Sequence, residues 1–178
     1  MKNIIVSLLV FTLSACGWHL RGSATGEDKL AMTTPMDLVI ITKDDHSPVI
    51  NALRQSLRNY KITEVSAATA NSLTLNMERE LFDKRTAGVG SDALTSAYEI
   101  TLRVGYSVSN ASGIITPLNT IARVSRTYNY NVDNANSAAQ EEELVLNEMR
   151  RELAQTILRR VKNLGAKASS APAAPAAQ

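Results

Sequence analysis

Cysteine, histidine and aromatic residues are scarce in this 178-residue chain: one Cys, two His, and 4% aromatics. A single cysteine, Cys16, excludes an intramolecular disulfide even in an oxidising compartment. His19 falls in a segment rich in Gly, Ser and Thr, and His46 just ahead of a helix signal. Both read as exposed loop residues and not as catalytic bases or metal ligands. An excess of one charge is also missing, with 19 Lys and Arg against 17 Asp and Glu. Nucleic-acid-binding domains are usually strongly basic, so no nucleic-acid partner is expected. That balance leaves room for local basic patches. Gly88 and Gly90 lack both a following helix signal and a lysine, so they form no phosphate loop. Glu78 and Glu80, two apart on a strand's polar face, read as solvated carboxylates in preference to an acid–base pair. No nucleophile–base pair can be nominated, and the expectation is that the protein is not an enzyme.

The N-terminus carries more information. Met1-Lys2-Asn3 precedes an apolar stretch from Ile4 to Leu13, and the small residues Ser14 and Ala15 follow. This is the pattern of a secretory signal peptide. No later stretch approaches the ~18 consecutive apolar residues of a spanning helix. Cys16 stands where the mature chain would begin. The arrangement resembles the lipobox of bacterial lipoproteins, whose cysteine thiol takes a diacylglycerol before cleavage. The resemblance implies an N-acyl group and an S-diacylglycerol on Cys16, with no other cofactor. At roughly 0.8 kcal/mol per buried methylene, one acyl chain holds marginally and several anchor stably. Gly17 rather than Asp follows the cysteine, which by analogy with enterobacterial sorting favours the outer membrane.

Residues 16–35 have few apolar side chains and read as the lipidated tether. The 44% hydrophobic content is ordinary for a chain that buries a core. Leu38-Val39-Ile40-Ile41 predicts a short buried strand. Ser47-Pro48 is a helix start, and Ile50, Leu53 and Leu57 give its apolar stripe through about Tyr60. Residues 62–71 read as a loop with a short extended piece.

Leu73, Leu75, Met77 and Leu81 alternate with polar residues and predict a strand, as do Tyr98, Ile100, Leu102, Val104, Tyr106 and Val108. After a turn at residues 110–113, Leu118, Ala122, Val124, Tyr128, Tyr130 and Val132 keep one face of a further strand. Leu146, Met149, Leu153, Ile157, Val161 and Leu164 recur at helical spacing. Glu141 to Glu143 in the first turns, and Arg159, Arg160 and Lys162 in the last, suit that helix's dipole. Gly165 reads as its stop, and residues 166–178, rich in Ala, Ser and Pro, as a disordered tail. The expected architecture is an α/β (α+β) sandwich. Two helices pack on one face of a four-stranded, mostly antiparallel mixed sheet. Residues 36–165 form its single domain, behind a signal peptide at residues 1–15.

The cations are the candidate binding groups. Lys84 and Arg85 open what reads as a mobile loop over residues 83–97. Arg103 and Arg123 project from the polar sheet face. Arg79 and Arg126 fall by parity on the apolar side, where a bulge, a strand end or a pairing with a helix carboxylate accounts for them. The functional alternative is a cluster of cations for a phosphorylated lipid, since arginine forks phosphate bidentately. The polar sheet face also suits a protein wall.

Cys16-Gly17-Trp18-His19-Leu20-Arg21-Gly22, the early proline and short strand, the helix ending near Leu57-Arg58 and Glu148-Met149 in the late helix together resemble the LptE family of LPS-assembly lipoproteins. Tyr98-Glu99 and Arg126-Thr127-Tyr128 add to it. The resemblance covers nearly the whole mature chain in element order. It implies a lipid-anchored, periplasm-facing partner of the outer-membrane β-barrel LptD. Such a protein sits within the barrel lumen as a plug and assembly partner and binds lipopolysaccharide during delivery to the outer leaflet. On that reading Lys84, Arg85, Arg123 and Arg126 are the candidate lipopolysaccharide contacts, and Cys16 is the lipidation site. The competing expectation is a stand-alone periplasmic lipid-carrier lipoprotein, which needs a roomy apolar cavity between sheet and helices.

Overall fold

The apolar run at residues 38–41 lies within β1 (Met36–Thr42), where Leu38 is fully buried. The computed structural model describes residues 34–117, 119–130 and 135–170. The signal peptide, Cys16, most of the tether, Leu118, Val132 and residues 171–178 lie outside the described residues. Helix α1 (Pro48–Ser56) starts where Ser47-Pro48 predicts. Proline at the first helical position lacks only an N–H that would have had no partner. The Ser47 hydroxyl makes no capping bond. A 3₁₀ turn, Leu57–Tyr60, follows and ends at Lys61 with φ +52°.

Four strands were expected, and six are present among the described residues. β2 (Ile62–Glu64) is the short extended piece expected within residues 62–71, and it runs parallel to β1. β3 (Leu73–Val89) is parallel to β1 on its other side and antiparallel to β4 (Thr95–Asn110). β5 (Gly113–Ile114) and β6 (Ile121–Asn129) both pair antiparallel with β4. The order is β2-β1-β3-β4, with β5 and β6 beyond β4. β2 and β5 are two or three residues long, too short for alternation to mark them.

β3 breaks its own alternation. Met77 lies opposite Tyr106, whereas Glu80 lies opposite Val104, so three residues of β3 match two of β4. The extra residue is a β-bulge, and it reverses the parity of everything after it. Before the bulge Leu73, Leu75 and Met77 face the core. After it Glu80, Phe82 and Lys84 take that face, and Leu81 turns outward at 58% exposure. This corrects the placement of Leu81 with the apolar set and of Glu80 on the polar face. Gly105 lies beside the bulge, where an added Cβ would meet the Glu78 carboxylate.

Helix α2 (Ala135–Ser170) covers the sheet beside α1. Its Met149, Leu153, Ile157, Leu158 and Val161 pack on Leu75, Ile100, Leu102 and Val104 of the sheet and Ile50 and Leu53 of α1, all essentially solvent-free. Fully burying one such side chain contributes about 1.5–3 kcal/mol. The helix starts earlier and ends later than the sequence suggested. Glu141 to Glu143 therefore lie beyond the first turn, which holds no acid, and the last turn carries Lys167. Gly165 is not a stop: it sits inside the helix, where a Cβ would come 2.8 Å from Met36 Sδ and 3.3 Å from Leu73 Cδ1. Its missing side chain lets α2 pass close to β1 and β3. Residues 166–170 belong to the helix and not to a disordered tail. Near this end the buried Lys162 ammonium donates to the Thr34 carbonyl.

Candidate functional site

Lys84 and Arg85 do not open a loop. The ladder of β3 with β4 runs on to Val89 opposite Thr95, so the connection shrinks to a turn over residues 90–94. There the Gly90 N–H donates to the Leu94 carbonyl at 2.7 Å, and Ala93 takes φ +63°. Pairing with the strongly alternating β4 overrides the weak local strand signal of residues 86–89.

The bulge then divides the two neighbours. Lys84 faces α2, with Nζ 2.5 Å from Glu142 Oε2 and 4.3 Å from the centre of the Tyr98 ring. The Tyr128 hydroxyl donates to the same Glu142 oxygen at 2.6 Å. Tyr98 also stacks edge-on with Tyr130, centroids 5.1 Å apart. Burial lowers the Lys84 pKa, but the hydrogen bonds and attraction of Glu142 and Tyr128 outweigh it, so the net shift is upward. Burial works against the Glu142 carboxylate too, yet Lys84 and Tyr128 together hold its pKa below the usual range. Arg85 points to the other face and forks Glu99, with Nη2 at 2.7 Å.

Arg126 shares a cross-strand row with Lys84, one on each side of Ile100. It reaches back to α2, with Nη2 2.8 Å from Glu152 and 3.8 Å from Glu148. Pairing with helix carboxylates therefore accounts for its parity, and the bulge accounts for the exposed Arg79. Glu80 is no solvated carboxylate: it pairs with Arg150 of α2. His46 is exposed, as expected.

The four candidates thus divide between the two faces. Lys84 and Arg126 lie under α2, whereas Arg85 and Arg123 lie on the face that carries no helix. Arg123 stands directly opposite Arg103. The alternation of β4 and β6 puts both on the polar face, but their opposition is a matter of register, which alternation leaves open. Among the described residues neither guanidinium takes part in an ion pair or hydrogen bond, whereas Lys84, Arg85 and Arg126 each hold a carboxylate. The same face presents Thr74, Asn76, Thr101, Ser107, Ser109, Ser125 and Thr127 by register. Among the described residues no three His, Cys, Asp or Glu are placed to hold a metal, and no helix is long and apolar enough to cross a membrane.

These features define a two-layer α+β domain with one helix-covered face and one open, polar face that carries two arginines with no ion-pair partner among the described residues. Comparison with known proteins gives the particular family. The chain belongs to the LptE (Lipopolysaccharide-assembly) family, whose model matches residues 37–161. It is 27% identical over 159 residues to the LPS-assembly lipoprotein LptE of Photorhabdus laumondii, covering 89% of this chain and 84% of that one. The protein of the same name from Pectobacterium atrosepticum is 27% identical over 160 residues, covering 89% and 83%. Among solved structures, the rare lipoprotein B from Shewanella oneidensis superposes with a TM-score of 0.66 at 19% identity. That match covers 75% of this chain and 98% of the other. At that identity the likeness concerns the fold.

Proposed function

We propose that this protein is an outer-membrane lipoprotein, acylated on Cys16, that associates with the β-barrel LptD as plug and assembly partner. In that complex it binds lipopolysaccharide during delivery to the outer leaflet. The observation that carries this reading is the family match, which spans the domain from β1 into α2. The construction of the domain supports it. Short hydroxyl and amide side chains on the open sheet face suit a polar barrel lumen. A lipid tether raises the domain's effective concentration beside a membrane-embedded partner. Lys84, Arg85, Arg123 and Arg126 remain the proposed contacts for lipid phosphates. Of these, Arg123 alone holds no carboxylate among the described residues.

The stand-alone carrier draws no support from the fold, because core side chains fill the layer between sheet and helices. The deciding experiment is extraction in mild detergent through an affinity tag after residue 178, with co-purifying proteins identified by mass. A large outer-membrane barrel is the expected companion. Recovery of the lipoprotein alone, under conditions that preserve barrel complexes, overturns the proposal.

A further inference from the structure

Arg103 and Arg123 lie side by side at the centre of the open sheet face, on adjacent antiparallel strands. Directly opposed residues have their Cβ atoms about 4.5–5.5 Å apart, and like charges so placed are destabilising. Glu78 and Asp83 share the face and Arg85 takes Glu99, but among the described residues no carboxylate lies within ion-pair distance of either guanidinium. Two apolar side chains adjoin them. Leu81 extends the same row beside Arg103, and Ile121 precedes Arg123 by one pleat, opposite Gly105. They are 58% and 60% exposed.

We propose that Arg103 and Arg123 form a phosphate-binding pair for an anionic amphiphile, with Leu81 and Ile121 receiving its apolar part. The site rests on the lipid-binding reading above and adds to it Arg103, the outer sheet face and an apolar flank. Two guanidinium forks on one phosphate dianion turn an unfavourable repulsion into charge-assisted hydrogen bonding. Gly105 has no side chain of its own and the Glu78 carboxylate lies over it, while the hydroxyls of Thr101 and Ser125, 2.8 Å apart, satisfy each other one pleat away. The positive charge at this place is supplied by the two arginines.

The test is an NMR titration of the arginine Nε–Hε signals in the detergent-solubilised full chain. The probes are inorganic phosphate, dodecyl phosphate and, as an uncharged control, dodecyl maltoside. Both arginine signals should move with the two phosphates and not with the maltoside, and dodecyl phosphate should bind more tightly than inorganic phosphate. Arg103→Thr and Arg123→Thr should each weaken dodecyl phosphate binding by about tenfold or more, while the melting temperature stays level or rises. Lysine at either position should restore only part of the affinity, since it lacks the fork. Unchanged affinity in the Arg103→Thr/Arg123→Thr chain overturns the site, as does an equal response to maltoside. A hexaglutamate peptide that moves the same signals more strongly than dodecyl phosphate also overturns it, and assigns the face to a protein carboxylate. A parallel lipopolysaccharide titration separates the two levels. Wild-type-like uptake by the double variant removes the site alone, whereas no uptake by the wild type removes the proposed lipid-binding function.

Discussion

Arg150 grips Glu80 through two nitrogens, with Nε at 3.1 Å and Nη2 at 3.0 Å from the same carboxylate oxygen, across the gap between α2 and β3. The two side chains are only 17% and 11% exposed. Glu80 can make this contact because the bulge after Met77 turns it from the open face to the covered one. Removing one partner strands the other in a largely dry place. Glu80→Ala should therefore cost about 2–4 kcal/mol in urea unfolding. Replacing both residues, as Glu80→Leu with Arg150→Met, should recover most of that loss. A double variant no better than the single one would show that the ion pair itself is needed.

The Lys84–Glu142–Tyr128 cluster makes stability depend on pH at both extremes. Glu142 has a lowered pKa in the fold, so its contribution is present above the unfolded value of about 4.3 and is lost as pH falls through the folded value. Lys84 has a raised pKa, so its contribution is present below about 10.4 and is lost as pH rises through the folded value. Glu142→Gln should cost about 1–2 kcal/mol at pH 7. The gap between wild type and variant should narrow at pH 3, as read from urea midpoints at the two pH values. A constant gap would dissociate the cluster from acid stability.

Gly165 provides a steric test of the close approach between α2 and the sheet. Gly165→Ala gains up to about 1 kcal/mol of helix propensity, offset by displacement of the flexible Met36 thioether, so it should be close to neutral. Gly165→Leu has no such room and should cost about 1–3 kcal/mol by overpacking. Thermal melts of the two variants check both the sign and the order.

Cys16→Ala, exported behind a signal peptide whose cleavage does not depend on acylation, should release the protein from the membrane fraction while leaving the far-ultraviolet dichroism of the domain unchanged. Fractionation and dichroism of the same preparation read the two effects separately. Retention of the variant in membranes without any barrel partner would contradict acyl anchoring at this position.

The sequence by itself determined the elements whose burial repeats locally. Tyr98 to Val108 and Ala122 to Tyr128 alternate, and Met149 to Val161 recur at helical spacing, because each element turns one face to the same core over many residues. It also carried the signal-peptide and lipobox pattern around Cys16, which depends on local order along the chain. Tertiary structure alone decided the rest. A single inserted residue after Met77 reverses the parity of β3, moving Glu80 and Lys84 under α2 and Leu81 and Arg85 into the open. The strand continues to Val89 because β4 supplies its ladder. Arg103 meets Arg123 because β4 and β6 adopt one register among several that alternation permits. Periodicity reports which way a side chain points along an unbroken strand, but bulges, register and ion-pair partners are set by contacts between segments far apart in the chain.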